Sequence, residues 1–143
     1  MAKQINVAMK KILFVLFALF PLLINAQETS DKEYTGVIYN LPQLDNPPLY
    51  PGGIEKLYAF VNKCFKIPII KEDGVYTIEI SFVVEADGMM SSFKIVTNPG
   101  HGLGEEGLRA VKSIKEIWEP GILNGERVRT SCKLPIKITI KST

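Results

Sequence analysis

The sequence predicts a small α+β domain: an antiparallel three-stranded sheet with two helices packed on one face. Three features predict it. Val75 to Glu85 alternates with a period of two, with Tyr76, Ile78, Ile80, Phe82 and Val84 on one side and Thr77, Glu79, Ser81 and Glu85 on the other. Val128 to Ile140 alternates over a longer run, with Val128, Thr130, Cys132, Leu134, Ile136, Ile138 and Ile140 sharing one parity. A strand with one face on a core and one in water reads this way. Between and before these runs the period changes to that of helices, so the order helix, strand, strand, helix, strand emerges.

Taken in order, the chain begins with Lys3, Lys10 and Lys11, then an apolar run from Ile12 to Ile24, then Asn25-Ala26-Gln27. A charged start, a short hydrophobic stretch and a small residue before a polar one are the layout of a secretory signal peptide over residues 1–26. The run falls short of the roughly 20 apolar residues that a spanning helix needs. An uncleaved membrane anchor is the alternative. Residues 27–48, with Pro42, Pro47 and Pro48, read as a flexible lead-in. The domain follows over residues 49–143.

Its first helix starts after the turn Tyr50-Pro51-Gly52-Gly53. Ile54, Leu57, Tyr58, Val61, Cys64 and Phe65 supply the amphipathic spacing, and Pro68 is expected to end it. Asp87-Gly88 closes a hairpin between the first strand and a return strand, Met89 to Thr97. The return strand alternates imperfectly, with Phe93 and Ile95 on one parity and Met90 and Val96 on the other, which points to a bulge or to contact on both faces. Asn98-Pro99-Gly100 ends it. A second helix is expected from Leu103 to Ile114, with Leu103, Leu108, Val111 and Ile114 inward, and Gly107 within it costs about 1 kcal/mol relative to alanine. The turn at Asn124-Gly125 leads into the last strand. There Pro135 lacks a donor for a ladder, which favours a sheet edge or a bulge.

Charge and chemistry exclude several classes. The chain has 17 basic and 15 acidic residues. Residues 1–26 hold three of the basic ones and no acid, so the rest has 14 against 15 and is near neutral. Bulk charge therefore gives no case for nucleic acid. Gly102, Gly104 and Gly107 match a dinucleotide-binding glycine pattern, but the parallel strand-helix-strand unit it requires is missing, and no cofactor is expected. His101 lies in a glycine-rich loop without catalytic partners, and adjacent Glu105 and Glu106 do not face each other. No metal site is expected from His101 and two cysteines. For Cys64 and Cys132, a disulfide and two buried free thiols are both compatible with the pattern. The expectation is a protein that is not an enzyme.

Several segments together resemble the C-terminal domain of TonB-family energy transducers, in the form common in Bacteroidetes. They are Tyr50-Pro51-Gly52-Gly53 with Leu57 and Phe60-Val61, Ile67-Pro68, and Ser81-Phe82-Val83-Val84-Glu85 with Asp87-Gly88. Further along come Leu103, Glu105-Glu106, Leu108-Arg109, Trp118-Glu119-Pro120-Gly121, Asn124-Gly125, Val128-Arg129 and Leu134-Pro135-Ile136. The resemblance spans about residues 49–140. Gly104 and Gly107 depart from it, standing where the family usually has an acid and an alanine. So does the lead-in, which reaches about 80 Å at full extension, short of the family's long spacer.

The resemblance implies a periplasmic module that pairs with an extended peptide segment of an outer-membrane TonB-dependent transporter, in energy-coupled transport. The matching element is the last strand, through Val128, Arg129, Thr130, Ser131, Cys132, Lys133, Leu134, Pro135, Ile136 and Lys137. Added strands take their affinity from backbone hydrogen bonds with little demand on sequence. Trp118 is expected to seal one end of the core, and Arg109 to brace the turn near it. The competing reading is a structural envelope protein or adaptor that self-associates through edge strands as a homodimer. Contact with a membrane is expected only through an uncleaved N-terminal segment.

Overall fold

The computed structural model describes residues 32–141, and the leader expected over residues 1–26 lies outside them. From Tyr34 the described chain belongs to one compact unit. Its elements are β1 (Ile38–Asn40), a 3-10 turn (Leu41–Gln43), α1 (Gly53–Cys64), β2 (Gly74–Val84), β3 (Met90–Thr97), α2 (Leu103–Lys112), β4 (Gly121–Leu123) and β5 (Glu126–Ile140). The fold class is α+β, as expected. The sheet is larger than expected, with five strands in place of three.

The two alternating runs pair with each other. β2 and β5 lie antiparallel from Gly74 opposite Ile140 to Val84 opposite Thr130. Their even-numbered residues face the helices, and Ile78, Ile80, Phe82, Val84, Leu134 and Ile136 are buried. Leu57 and Val61 of α1 and Leu103, Ala110 and Val111 of α2 close over them. Each such side chain contributes about 1.5–3 kcal/mol on burial, which is why period-two strands and amphipathic helices find one another. Leu108 is only half-buried, while Gly107 faces the sheet: a methyl group there would lie 3.0 Å from Ile78 Cγ2. Of the three glycines at 102, 104 and 107, Gly107 thus serves a close helix–sheet approach, while Gly104 lies against the Asn98 side chain.

β3 pairs with β2 with two register shifts, each inserting one extra residue on β3. Ser92 takes a φ of 51° at one of them. Of the two readings of the mixed parity of Met90, Phe93, Ile95 and Val96, the bulge is the one found. Between the strands, Gly88 donates to the Glu85 carbonyl and accepts from the Trp118 N–H at 2.9 Å. Its φ is 84°, and a methyl group there would sit 2.1 Å from the Trp118 carbonyl oxygen. Only glycine fits. Trp118 does seal this end, packing on Tyr50 and Phe82 with ring centroids 5.3 and 5.6 Å away.

The structure also departs from the sequence reading at element ends and in strand order, and α2 stops at Lys112, two residues short of the expected Ile114. α1 stops at Cys64, four residues before Pro68, because the chain turns extended at Phe65. The lead-in region is not featureless: β1 lies in it and pairs in parallel with β5, and Leu49 and Asn46 form bridges with Glu119 and Ile122. Finally, β5 is not a simple edge. In the strand order β1-β5-β2-β3 it lies inside the sheet, and β4 pairs with its first residues.

Candidate functional site: the free side of the last strand

One side of β5 is filled by β2. On the other side β1 covers only three positions, with Ile38 opposite Arg129, Tyr39 opposite Thr130 and Asn40 opposite Ser131. Val128, the first residue of the expected site, pairs with Gly121 of β4. From Cys132 to Ile140 no strand among the described residues occupies the side away from β2. The expected site therefore divides. Val128 to Ser131 are engaged by the protein's own strands, and Cys132 to Lys137, continuing to Ile140, present a side that no strand among the described residues covers.

The chemistry of the free part follows its parity. Cys132, Leu134, Ile136 and Ile138 are buried in the core, which fixes the strand's register and holds its backbone rigid. Lys133, Pro135, Lys137 and Thr139 are exposed. Lys133 Nζ lies 3.4 Å from Glu79 Oε1. Pro135 has no N–H, and its carbonyl accepts a 3.0 Å hydrogen bond from the Tyr58 hydroxyl of α1. Proline and lysines on an edge discourage indiscriminate pairing. Tyr58 was legible only as an apolar position of α1; nothing in the spacing says that its hydroxyl reaches β5.

Arg129 carries the same parity as the lysines and is expected in water. It is instead committed to the structure. Its Nε and Nη2 donate to the Glu85 carboxylate at 2.6 and 3.1 Å, and its Nη1 donates to the Gly36 carbonyl at 3.0 Å. Glu85 is fully buried and also accepts from the Ser91 hydroxyl. Hydrogen bonding to this carboxylate holds the Arg129 guanidinium above its ordinary pKa.

Arg109 does not brace Trp118. It clasps the two helices, donating to Glu106 at 2.8 and 2.6 Å and to the Cys64 carbonyl at 2.6 Å. Glu106 in turn accepts from the Lys66 N–H at 2.6 Å. The Arg109 hydrogen bonds, and then the Lys66 N–H, hold the Glu106 carboxyl below its ordinary pKa against the opposing effect of burial.

Both cysteines are free thiols. Cys132 is buried, and burial pushes its pKa up to about 11, so it behaves as a small apolar side chain. Among the described residues, no three His, Cys, Asp or Glu side chains gather as a metal site would require. His101 Nε2 is 3.6 Å from Glu72 and its ring meets the Tyr76 ring edge-on at 5.5 Å, a surface contact. Among the described residues, no helix is long and apolar enough to cross a membrane.

The arrangement is a sheet with a bare strand side, and one comparison places it. Residues 71–139 match the model of the Gram-negative bacterial TonB protein C-terminal family. They belong to that family. The matched stretch of this TonB C-terminal domain runs from just before β2 almost to the end of β5, so it contains the hairpin, α2 and the strand with the bare side. The family is a non-enzymatic, transport-associated one whose members interact with outer-membrane transporters in energy coupling at the cell envelope. No curated protein matches the chain.

Proposed function

We propose that this TonB C-terminal domain binds an extended peptide segment of an outer-membrane TonB-dependent transporter by strand addition along Cys132 to Ile140. It does so in the periplasm, as a binding module without catalytic chemistry, in energy-coupled transport. The observation that carries the reading is β1. The side of β5 in question already holds one added strand, supplied in parallel by the chain itself, and past Ser131 no strand among the described residues occupies it. An incoming peptide would extend the same ladder, taking affinity from the backbone of β5 and discrimination from Lys133, Lys137 and Tyr58. Arg129 to Ser131 become available only if β1 leaves.

Export through a leader over residues 1–26 fits this location, and a mature chain that starts at Gln27 would exclude an anchored arm. The test of binding is nuclear magnetic resonance on the full chain, with peptides from the periplasmic N-terminal segments of TonB-dependent transporters. Backbone shifts should concentrate on Cys132 to Ile140. No shift there at millimolar peptide would refute the proposed site.

A further inference from the structure

The sheet has a second unpaired side. β3 ends the strand order, with β2 on one side and, among the described residues, no strand on the other. Beside it a cavity of about 220 Å³ opens between β3 and the end of α2. Its floor is apolar, made by Met89, Met90, Phe93 and Ile114. Met89 is 44% exposed, and Ile117, which lies against the neighbouring Gly88 turn, is 52% exposed. Methionine-lined surfaces adapt their shape to an inserted side chain.

The rim carries Lys112 and Lys115 against one acid, Glu116. Lys112 Nζ stands 5.8 Å over the Phe93 ring, and a Glu116 oxygen accepts from the Lys115 N–H at 3.1 Å. Lys94 is exposed on β3 itself, opposite Ser81. The unpaired backbone calls for an extended chain, the cavity for an apolar side chain, and the lysines for acids.

We infer that the β3 edge and its cavity form a second docking site, for a short extended acidic peptide of a partner protein that inserts one apolar side chain. The two bulges break the regular ladder, so few backbone bonds can form and the inserted side chain supplies the remaining affinity. A second copy of this chain fits poorly, since pairing β3 with β3 would bring Lys94, Lys112 and Lys115 of both copies together. The inference is independent of the β5 reading. With both edges occupied, the domain would join two partners across one sheet.

The probe is a blocked heptapeptide with a single central leucine flanked by glutamates, titrated into the full chain, with the lysine-for-glutamate peptide as control. Amide shifts should appear between Ser92 and Thr97 for the acidic peptide alone. Reversing two rim charges, Lys112→Glu with Lys115→Glu, should weaken binding about tenfold, leaving amide shifts outside the groove unchanged. Equal shifts with both peptides, shifts confined to Cys132–Ile140, or a dimer that forms through β3 in ultracentrifugation would each overturn the proposal.

Discussion

Two arginine–glutamate pairs in this domain have nearly the same geometry and different surroundings. Arg129 grips Glu85 with two nitrogens and reaches the Gly36 carbonyl with a third. Arg109 grips Glu106 with two nitrogens and reaches the Cys64 carbonyl. Each joins segments distant in sequence. The side chain of Glu85 is 0% exposed and that of Arg129 14%, whereas those of Glu106 and Arg109 are 14% and 47% exposed. Burial strengthens attraction between charges but makes each charge costly to leave alone. The pair at the turn end is therefore a commitment, and the pair between the helices is an adjustable clasp. The turn end, where Gly88, Trp118, β1 and β4 also converge, should therefore resist deformation more than the clasp between the helices.

The largest expected effect tests that rigidity. Gly88→Ala would force a methyl group against the Trp118 carbonyl while holding alanine at a positive φ. Strain and overpacking together should cost about 4 kcal/mol in chemical denaturation. A loss below about 1 kcal/mol would mean that the turn and Trp118 separate easily and that this end is not rigid.

Next comes the buried pair itself. Arg129→Met leaves the Glu85 carboxylate buried without its cation and should cost about 3 kcal/mol. Replacing Glu85 by Met as well should recover most of that loss, because two apolar side chains leave no charge stranded. If the double variant were as unstable as the single one, the cost would lie in the Gly36 and β1 contacts, and the contrast between the pairs would rest on packing.

Part of this contrast was legible in the sequence. The alternation of β2 and β5 gives their core faces residue by residue, and Asp87-Gly88 gives the hairpin, since each signal is local and repeated. β1 was not legible: Ile38-Tyr39-Asn40 is too short to show a period, and its place beside β5 depends on backbone pairing that any side chain allows. The same gap hid the division of the candidate site. Val128 to Lys137 looks uniform in sequence, yet what covers Arg129 to Ser131 comes from 91 positions earlier in the chain. Arg129 was misread for a related reason. Parity says which face a side chain takes, and only the tertiary fold says that Glu85 waits on that face.

The smallest expected effect separates the exposed clasp from the buried pair by pH. The Glu106 carboxyl is held below its ordinary value of 4.5, first by its hydrogen bonds to Arg109. A carboxyl with a lowered folded-state pKa contributes stability above its unfolded pKa. That contribution is lost as pH falls through the lower folded value. Wild-type protein should thus be slightly more stable than Arg109→Met at pH 7, and the gap in thermal midpoint should close as the pH drops below about 4.5. Since Arg109 is half exposed, added salt at pH 7 should narrow the gap as well. A gap that stayed constant from pH 7 to pH 3 would mean that Arg109 holds the helices through its bond to the Cys64 carbonyl, which does not titrate, and that the charge of Glu106 contributes nothing.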